Sequence, residues 1–180
     1  MRLPTASRLT FREMTDDDLD DMAALLGDTD VMRFYPRPMT RSEARDWIAR
    51  NQRRYKEHGF GLWIITTSES GEFIGDCGLT LQPVEGTDEL EVGYHVRTSM
   101  QGHGYATEAA AASRDFARNV LGASRLTAII NPLNVPSQRV AAKIGLKAEK
   151  HAVAPNGTEA IIYAADLRPA STPQPRNVAN

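Results

Sequence analysis

One stretch constrains the fold more than any other: Val92-Gly93-Tyr94-His95-Val96-Arg97-Thr98-Ser99-Met100-Gln101-Gly102-His103-Gly104-Tyr105-Ala106-Thr107-Glu108. A strand pattern runs into a short glycine-bearing loop, and the loop runs straight into an alanine-rich helix. A helix start of this kind presents unpaired backbone N–H groups at the positive end of the aligned peptide dipoles, which attracts an anion, typically a phosphate. Gly102 and Gly104 keep the backbone bare, since a side chain at either would hold a ligand away. The helix carries Ala106, Ala109, Ala110, Ser113, Phe116, Ala117 and Val120 and ends at Gly122, and Arg125 to Ile130 reads as the next strand. Strand, helix, strand in that order predicts a right-handed parallel crossover.

The chain before this unit supplies two helices and a meander. Arg8 to Met14 alternates as a first strand. Thr15 and the acidic Asp16, Asp17 and Asp18 open a helix whose Leu19, Met22, Ala23 and Leu26 recur on one face. Thr40 and Glu43 form a capping box for a second helix, reaching about Glu57, with Ala44, Trp47, Ile48 and Tyr55 on its apolar side. Phe60–Thr67 and Glu72–Leu81 read as a hairpin across Ser68 to Gly71, Gln82 to Asp88 as a loop, and Glu89–Val96 as the third strand. In that strand Glu91 and His95 share the less apolar face. After the crossover, Asn131-Pro132-Leu133-Asn134-Val135-Pro136-Ser137 leads into a helix closed by Gly145. Lys147–Ala154 and Thr158–Leu167 then flank the hairpin signal Asn156-Gly157. The pattern predicts an α+β (mixed α/β) domain spanning residues 1–167, with a disordered tail over 168–180 rich in proline.

Composition narrows the function. A net charge of −2 gives no electrostatic footprint for nucleic acid or an anionic membrane. The lone Cys77 excludes an internal disulfide and reads as a buried structural thiol, and His58, His95, His103 and His151 form no metal-ligand spacing with it. The opening residues lack the apolar segment of a secretory signal, so a cytoplasmic protein without a bound metal is expected, as a monomer or homodimer.

Two segments, 101–106 and 131–137, each lie between a strand and the helix after it. In a partly parallel sheet, ligands bind outside the carboxyl ends of the strands, so both should face one crevice. Position 107 is Thr, which breaks G-x-G-x-x-G, and no phosphate-binding G-x-x-x-x-G-K-[ST] occurs. The combination resembles the GNAT superfamily of acetyl-CoA-dependent N-acyltransferases. Gln101, Gly104 and Ala106 match its Q/R-x-x-G-x-G/A pattern. The text Gly-His-Gly-Tyr-Ala-Thr-Glu-Ala-Ala, Asn134-x-x-Ser137 and Lys143-Ile144-Gly145-Leu146 are similar to the RimJ/RimL branch of N-acetyltransferases. Gln101 stands where that branch often has Trp. The resemblance covers about Arg8 to Leu167.

The resemblance implies a mostly antiparallel, splayed sheet of about seven strands with helices on both faces, and transfer of acetyl from acetyl-CoA to an amine acceptor by direct attack. The pyrophosphate of CoA would be held by backbone N–H groups of Gln101, Gly102, His103, Gly104, Tyr105, Ala106 and Thr107. The pantetheine arm would pair with His95 and Val96 on the splayed strand, with a further bond from Asn134. Asn134 serves equally as a helix cap, and one side chain suits either role.

Three tasks remain: deprotonating the amine, stabilising charge on the thioester oxygen, and protonating the leaving sulfur. Backbone N–H near His95 and Val96 is the implied donor to the oxygen. Ser137 occupies the place from which the branch supplies a hydroxyl, although a serine one turn into a helix also caps it. Glu91 is the candidate base and an amine-binding group. His95 is the rival, with a pKa nearer neutrality. Four residues of strand, roughly 13 Å, separate the two, so they are not expected to act on the same proton. Phe34, Tyr35 and Trp47 are candidates for an acceptor wall, with the core as their other reading. A binding module that keeps the acyl-CoA cleft without turnover, as a regulatory sensor, is the alternative function.

Overall fold

In the computed structural model, which describes residues 2–168, seven strands form one sheet in the order β1-β2-β3-β4-β5-β7-β6. In chain order the strands are β1 Leu9–Arg12, β2 Leu62–Thr67, β3 Phe73–Val84, β4 Thr87–Val96, β5 Arg125–Ile130, β6 Lys147–Val153 and β7 Glu159–Asp166. The helices are α1 Leu19–Gly27, α2 Arg41–His58, α3 Tyr105–Asn119 and α4 Val135–Lys143. All neighbours pair antiparallel except β4 and β5, which are parallel. The α2 capping box forms as expected: Glu43 N–H donates to Thr40 Oγ1, and Thr40 N–H donates to Glu43 at 2.7 Å. The fold class is the one the element pattern and the resemblance predict.

One expected loop is absent. Gln82 to Asp88 is strand on both sides of a two-residue turn at Glu85 and Gly86, both with positive φ, which lengthens the β3–β4 hairpin. Such a turn matches the right-handed twist of its strands, and Glu85, a non-glycine residue in the left-handed region, gave no Asn-Gly signal to find it by. The predicted tail lies, from residue 169 onward, outside the described residues, while Arg168 is paired with Asp166.

Helices cover both faces, and β3 shows how. Asp76 receives the indole N–H of Trp47 from α2, while its neighbour Cys77 lies 3.6 Å from Ser113 Oγ on α3. Successive strand residues point to opposite faces, so α2 lies on one side and α3 on the other. Between the layers sit Trp63, Phe11, Phe116, Ile64, Ile65 and Leu79, with Trp63 edge-on to both phenylalanines. Gly75 lets β3 and β4 approach closely, because a Cβ there would lie 2.0 Å from the carbonyl oxygen of His95.

Candidate functional site

The parallel pair β4–β5 is joined at a single register position, Glu91 opposite Thr127, and the strands part beyond it. Arg97 N–H donates to Ile74 O on the β3 side. Alternation along an antiparallel ladder therefore turns the backbone of His95 toward β3 and the backbone of Tyr94 and Val96 into the gap. The Val96 carbonyl is taken by Gln101 Nε2 at 3.0 Å, which leaves the Val96 N–H facing the wedge.

A cavity of about 770 Å³ fills this gap and runs through to the α2 face. On the α3 and α4 side it is walled by Gln101, Gly102, Gly104, Tyr105, Ala106, Thr107, Asn134 and Ser137. Gly102 and Gly104 both adopt left-handed φ, near 80°, and Gly104 is the N-cap of α3, so an unbranched backbone meets the start of a long helix. Arg8, just before β1, fixes this loop. Its backbone N–H and Nε donate to the two carboxylate oxygens of Glu108 at 2.7 Å, and its Nη1 donates to His103 O. The His103 imidazole folds back on Gln101 O and stacks on Tyr105, so of the seven expected loop contacts His103 alone lies outside the cavity lining.

Asn134 does cap α4: its Oδ1 accepts from Ser137 N–H at 3.2 Å, leaving its amide N–H groups for another partner. Tyr94 Oη donates to Ser137 O at 3.0 Å and lies 2.8 Å from Ser137 Oγ, so the serine hydroxyl is held by a tyrosine from the opposing strand. Burial pushes the Tyr94 phenol well up, and it stays neutral and able to carry a proton.

The other end of the cavity is built from side chains. Glu91 Oε2 accepts from Thr80 Oγ1 at 3.1 Å and Oε1 from Ile129 N–H at 3.3 Å. Burial raises the Glu91 pKa against the opposing effect of those bonds. Beside it, His95 Nδ1 meets Asp76 Oδ1 at 2.8 Å and His95 Nε2 meets Tyr35 Oη at 2.8 Å, while Trp47 Nε1 donates to Asp76 Oδ2 at 2.9 Å. Burial works against the imidazolium, but the Asp76 carboxylate outweighs it, and the His95 pKa is raised. Phe34, Tyr35 and Trp47 all line the cavity, and Trp47 packs on the core as well.

Sequence reasoning missed Asp76, Tyr94 and Arg8. Glu91 and His95, which share one face of β4, both line the cavity.

Residues 8–147 match the model of the acetyltransferase (GNAT) domain. The chain belongs to the GNAT acetyltransferase family. Among its relatives is YkkB of Bacillus subtilis (strain 168), 38% identical over 144 residues, 79% of this chain and 84% of that one. The N-acetyltransferase p20 of Bacillus licheniformis is 29% identical over 144 residues, 79% of this chain and 80% of p20. In three dimensions the chain is similar to an acetyltransferase of Agrobacterium tumefaciens str. C58, with a TM-score of 0.79 at 25% identity over 92% of this chain and 95% of that one. As a GNAT domain it is an acyl-CoA-dependent N-acyltransferase. The residues present suit that donor. A bare, left-handed glycine backbone at a helix start suits a pyrophosphate, and a strand edge with a free N–H suits an amide-bearing arm.

Proposed function

We propose that this GNAT domain transfers acetyl from acetyl-CoA to a primary amine by direct attack, in the manner of the RimJ/RimL branch. The observation that carries the reading is the position of Glu91, at the last register point before β4 and β5 part. There a half-buried, proton-accepting carboxylate meets the wedge that leads from the glycine loop. Backbone N–H groups of the 101–107 loop hold the pyrophosphate, and the Asn134 amide holds the pantetheine arm. When bound, acetyl-CoA supplies the activated carbonyl. Val96 N–H, not that of His95, faces the gap and donates to the carbonyl oxygen.

Glu91 takes the proton of the incoming amine. Its raised pKa brings it closer to the operating range of a general base than a solvated carboxylate. His95 has Nδ1 committed to Asp76 and Nε2 to Tyr35, so it orients the tyrosine and the Trp47 wall and is not the base. The Ser137 hydroxyl, hydrogen-bonded to the Tyr94 phenol, donates a proton to the leaving sulfur, and the cycle closes as Glu91 releases the amine proton to solvent and the serine regains one from it.

Two measurements test this: calorimetric titration with acetyl-CoA, and release of free CoA across peptides with a free N-terminus, an aminoglycoside, a polyamine and amino acids. We expect saturable donor binding and release with at least one amine class. Absence of binding defeats the donor assignment. Binding without release for every class leaves only the regulatory module.

A further inference from the structure

Helix α2 lies over the acceptor end with Trp47, Asn51 and Arg54 on one face, at i, i+4 and i+7. Trp47 sits over Asp76, and Asn51 Oδ1 takes the Leu62 N–H at 3.0 Å. Arg54, farther along, lines the cavity with Thr80 and Glu91 and is half-buried. Its one hydrogen bond, from Nη1 to Asn51 Oδ1, is long at 3.3 Å, and among the described residues no carboxylate lies within 4.0 Å of its guanidinium. The helix supplies further like charge in Arg50, which stacks over Trp47, and Arg53. Burial and these neighbours work against the Arg54 charge, and Glu91 is the carboxylate that favours it.

A guanidinium stays charged even when desolvated, and a planar fork of donors matches a carboxylate. Nature seldom leaves such a group half-buried and unpaired beside a like-charged neighbour, because the desolvation is uncompensated until an anion arrives.

We infer that the acceptor is a small amine that also carries a carboxylate, an amino-acid-like zwitterion, bound with its amine toward Glu91 and its carboxylate on Arg54. This names the substrate class for the acetyl transfer proposed above and rests on it only for the amine's fate; the binding itself stands apart. A polycation such as spermidine or an aminoglycoside would set positive charge against Arg54. The aromatic lining of Phe34, Tyr35 and Trp47 suits an acceptor with an apolar or aromatic side chain.

The test uses matched probes: L-leucine, L-phenylalanine, L-methionine, β-alanine and 4-aminobutyrate, each against its carboxamide, with spermidine and kanamycin. Equilibrium binding to the full chain holding a non-transferring acetyl-CoA analogue is measured beside CoA release. For the wild type, at least one acid binds roughly 10- to 100-fold more tightly than its amide, the range of a charge-assisted hydrogen bond. In Arg54→Met that ratio collapses toward one through KM and Kd, with kcat little changed, and Arg54→Lys recovers part of it. Comparing ratios between wild type and variant cancels the different amine basicity within each pair. Equal or tighter binding of the amide, spermidine or kanamycin overturns the proposal, as does an acid preference that survives Arg54→Met. Acid-selective binding without CoA release from any probe leaves the Arg54 site standing and defeats the acetyl-transfer reading instead.

Discussion

The two ends of the cavity are made of different material. The donor end is backbone: two left-handed glycines, the start of α3, and the Val96 N–H on a parted strand, steadied from outside by the Arg8–Glu108 clamp. The acceptor end is side chain: Glu91 and Thr80, then Asp76, His95, Tyr35 and Trp47, joined by hydrogen bonds in low-dielectric surroundings. A backbone site owes its recognition to conformation, so most substitutions spare it and only those that deny the conformation harm it. A side-chain network stakes much on each member, because removing one leaves a buried partner unsatisfied. Substitutions should therefore act steeply at one end and mildly at the other.

The steepest test is Glu91→Gln. Losing the base should lower kcat by roughly 100- to 1000-fold, within the span of general base catalysis, and leave the acetyl-CoA Kd unchanged, as read by steady-state rates and calorimetry. The sign of the pH dependence follows from burial. Glu91 works deprotonated and its pKa is raised, so kcat/KM should fall with decreasing pH along a limb lying above the ordinary carboxylate value of 4.5. That limb should vanish in the glutamine variant. A limb that persists would move the base to another group.

Next comes Asp76→Asn, expected to cost about 3 kcal/mol of folding stability by breaking a buried pair, seen as a lower midpoint in denaturant. The raised His95 pKa means the folded state holds its proton more tightly than the unfolded chain. That contribution is fully present below the unfolded value of about 6.5 and is lost as pH rises through the folded pKa. The deficit of the variant should therefore be larger at pH 6 than at pH 9, and NMR titration of His95 should show its pKa lowered.

The same contrast explains what the sequence disclosed. The 101–107 loop, Asn134 and Ser137 are local patterns in which glycine spacing and a strand-to-helix order carry the geometry. The separate strand segments follow from periodicity in the same way, and their joining in one seven-stranded sheet is what the resemblance implies. Asp76 could not be reached like that. It stands opposite His95, as Thr80 stands opposite Glu91, only when the β3–β4 hairpin is paired outward from its turn at Glu85 and Gly86. Reading Gln82 to Asp88 as a loop erased that register. Tyr94 lies on the face of β4 opposite Glu91 and His95, and that face opens on Ser137 where β4 leaves β5, a fact of tertiary splay that strand alternation does not contain. Arg54 was unreadable for a related reason: arginines on a helix are ordinarily solvated, and only the packing of α2 over Glu91 turns this one inward.

At the donor end, Gly104→Val should weaken acetyl-CoA binding about tenfold. A β-branched residue pays for left-handed φ, of the order of 1–2 kcal/mol, while its Cβ would make only an ordinary contact, 3.5 Å, with Arg8 Nη2. Calorimetry reads this directly, and an unchanged Kd would mean that the loop backbone is not the pyrophosphate cradle. The smallest effect belongs to Tyr94→Phe. Removing the phenol frees the Ser137 hydroxyl from its 2.8 Å contact without removing the hydroxyl itself. A loss of about 1 kcal/mol, some fivefold in kcat with the acetyl-CoA Kd intact, is then expected from a neutral hydrogen bond. Ser137→Ala should lower the rate further, and the double variant should be no slower than Ser137→Ala alone, since the tyrosine acts through the serine. If the two losses instead add, Tyr94 reaches the leaving sulfur on its own, and the donor end holds a second side-chain catalyst beside Ser137.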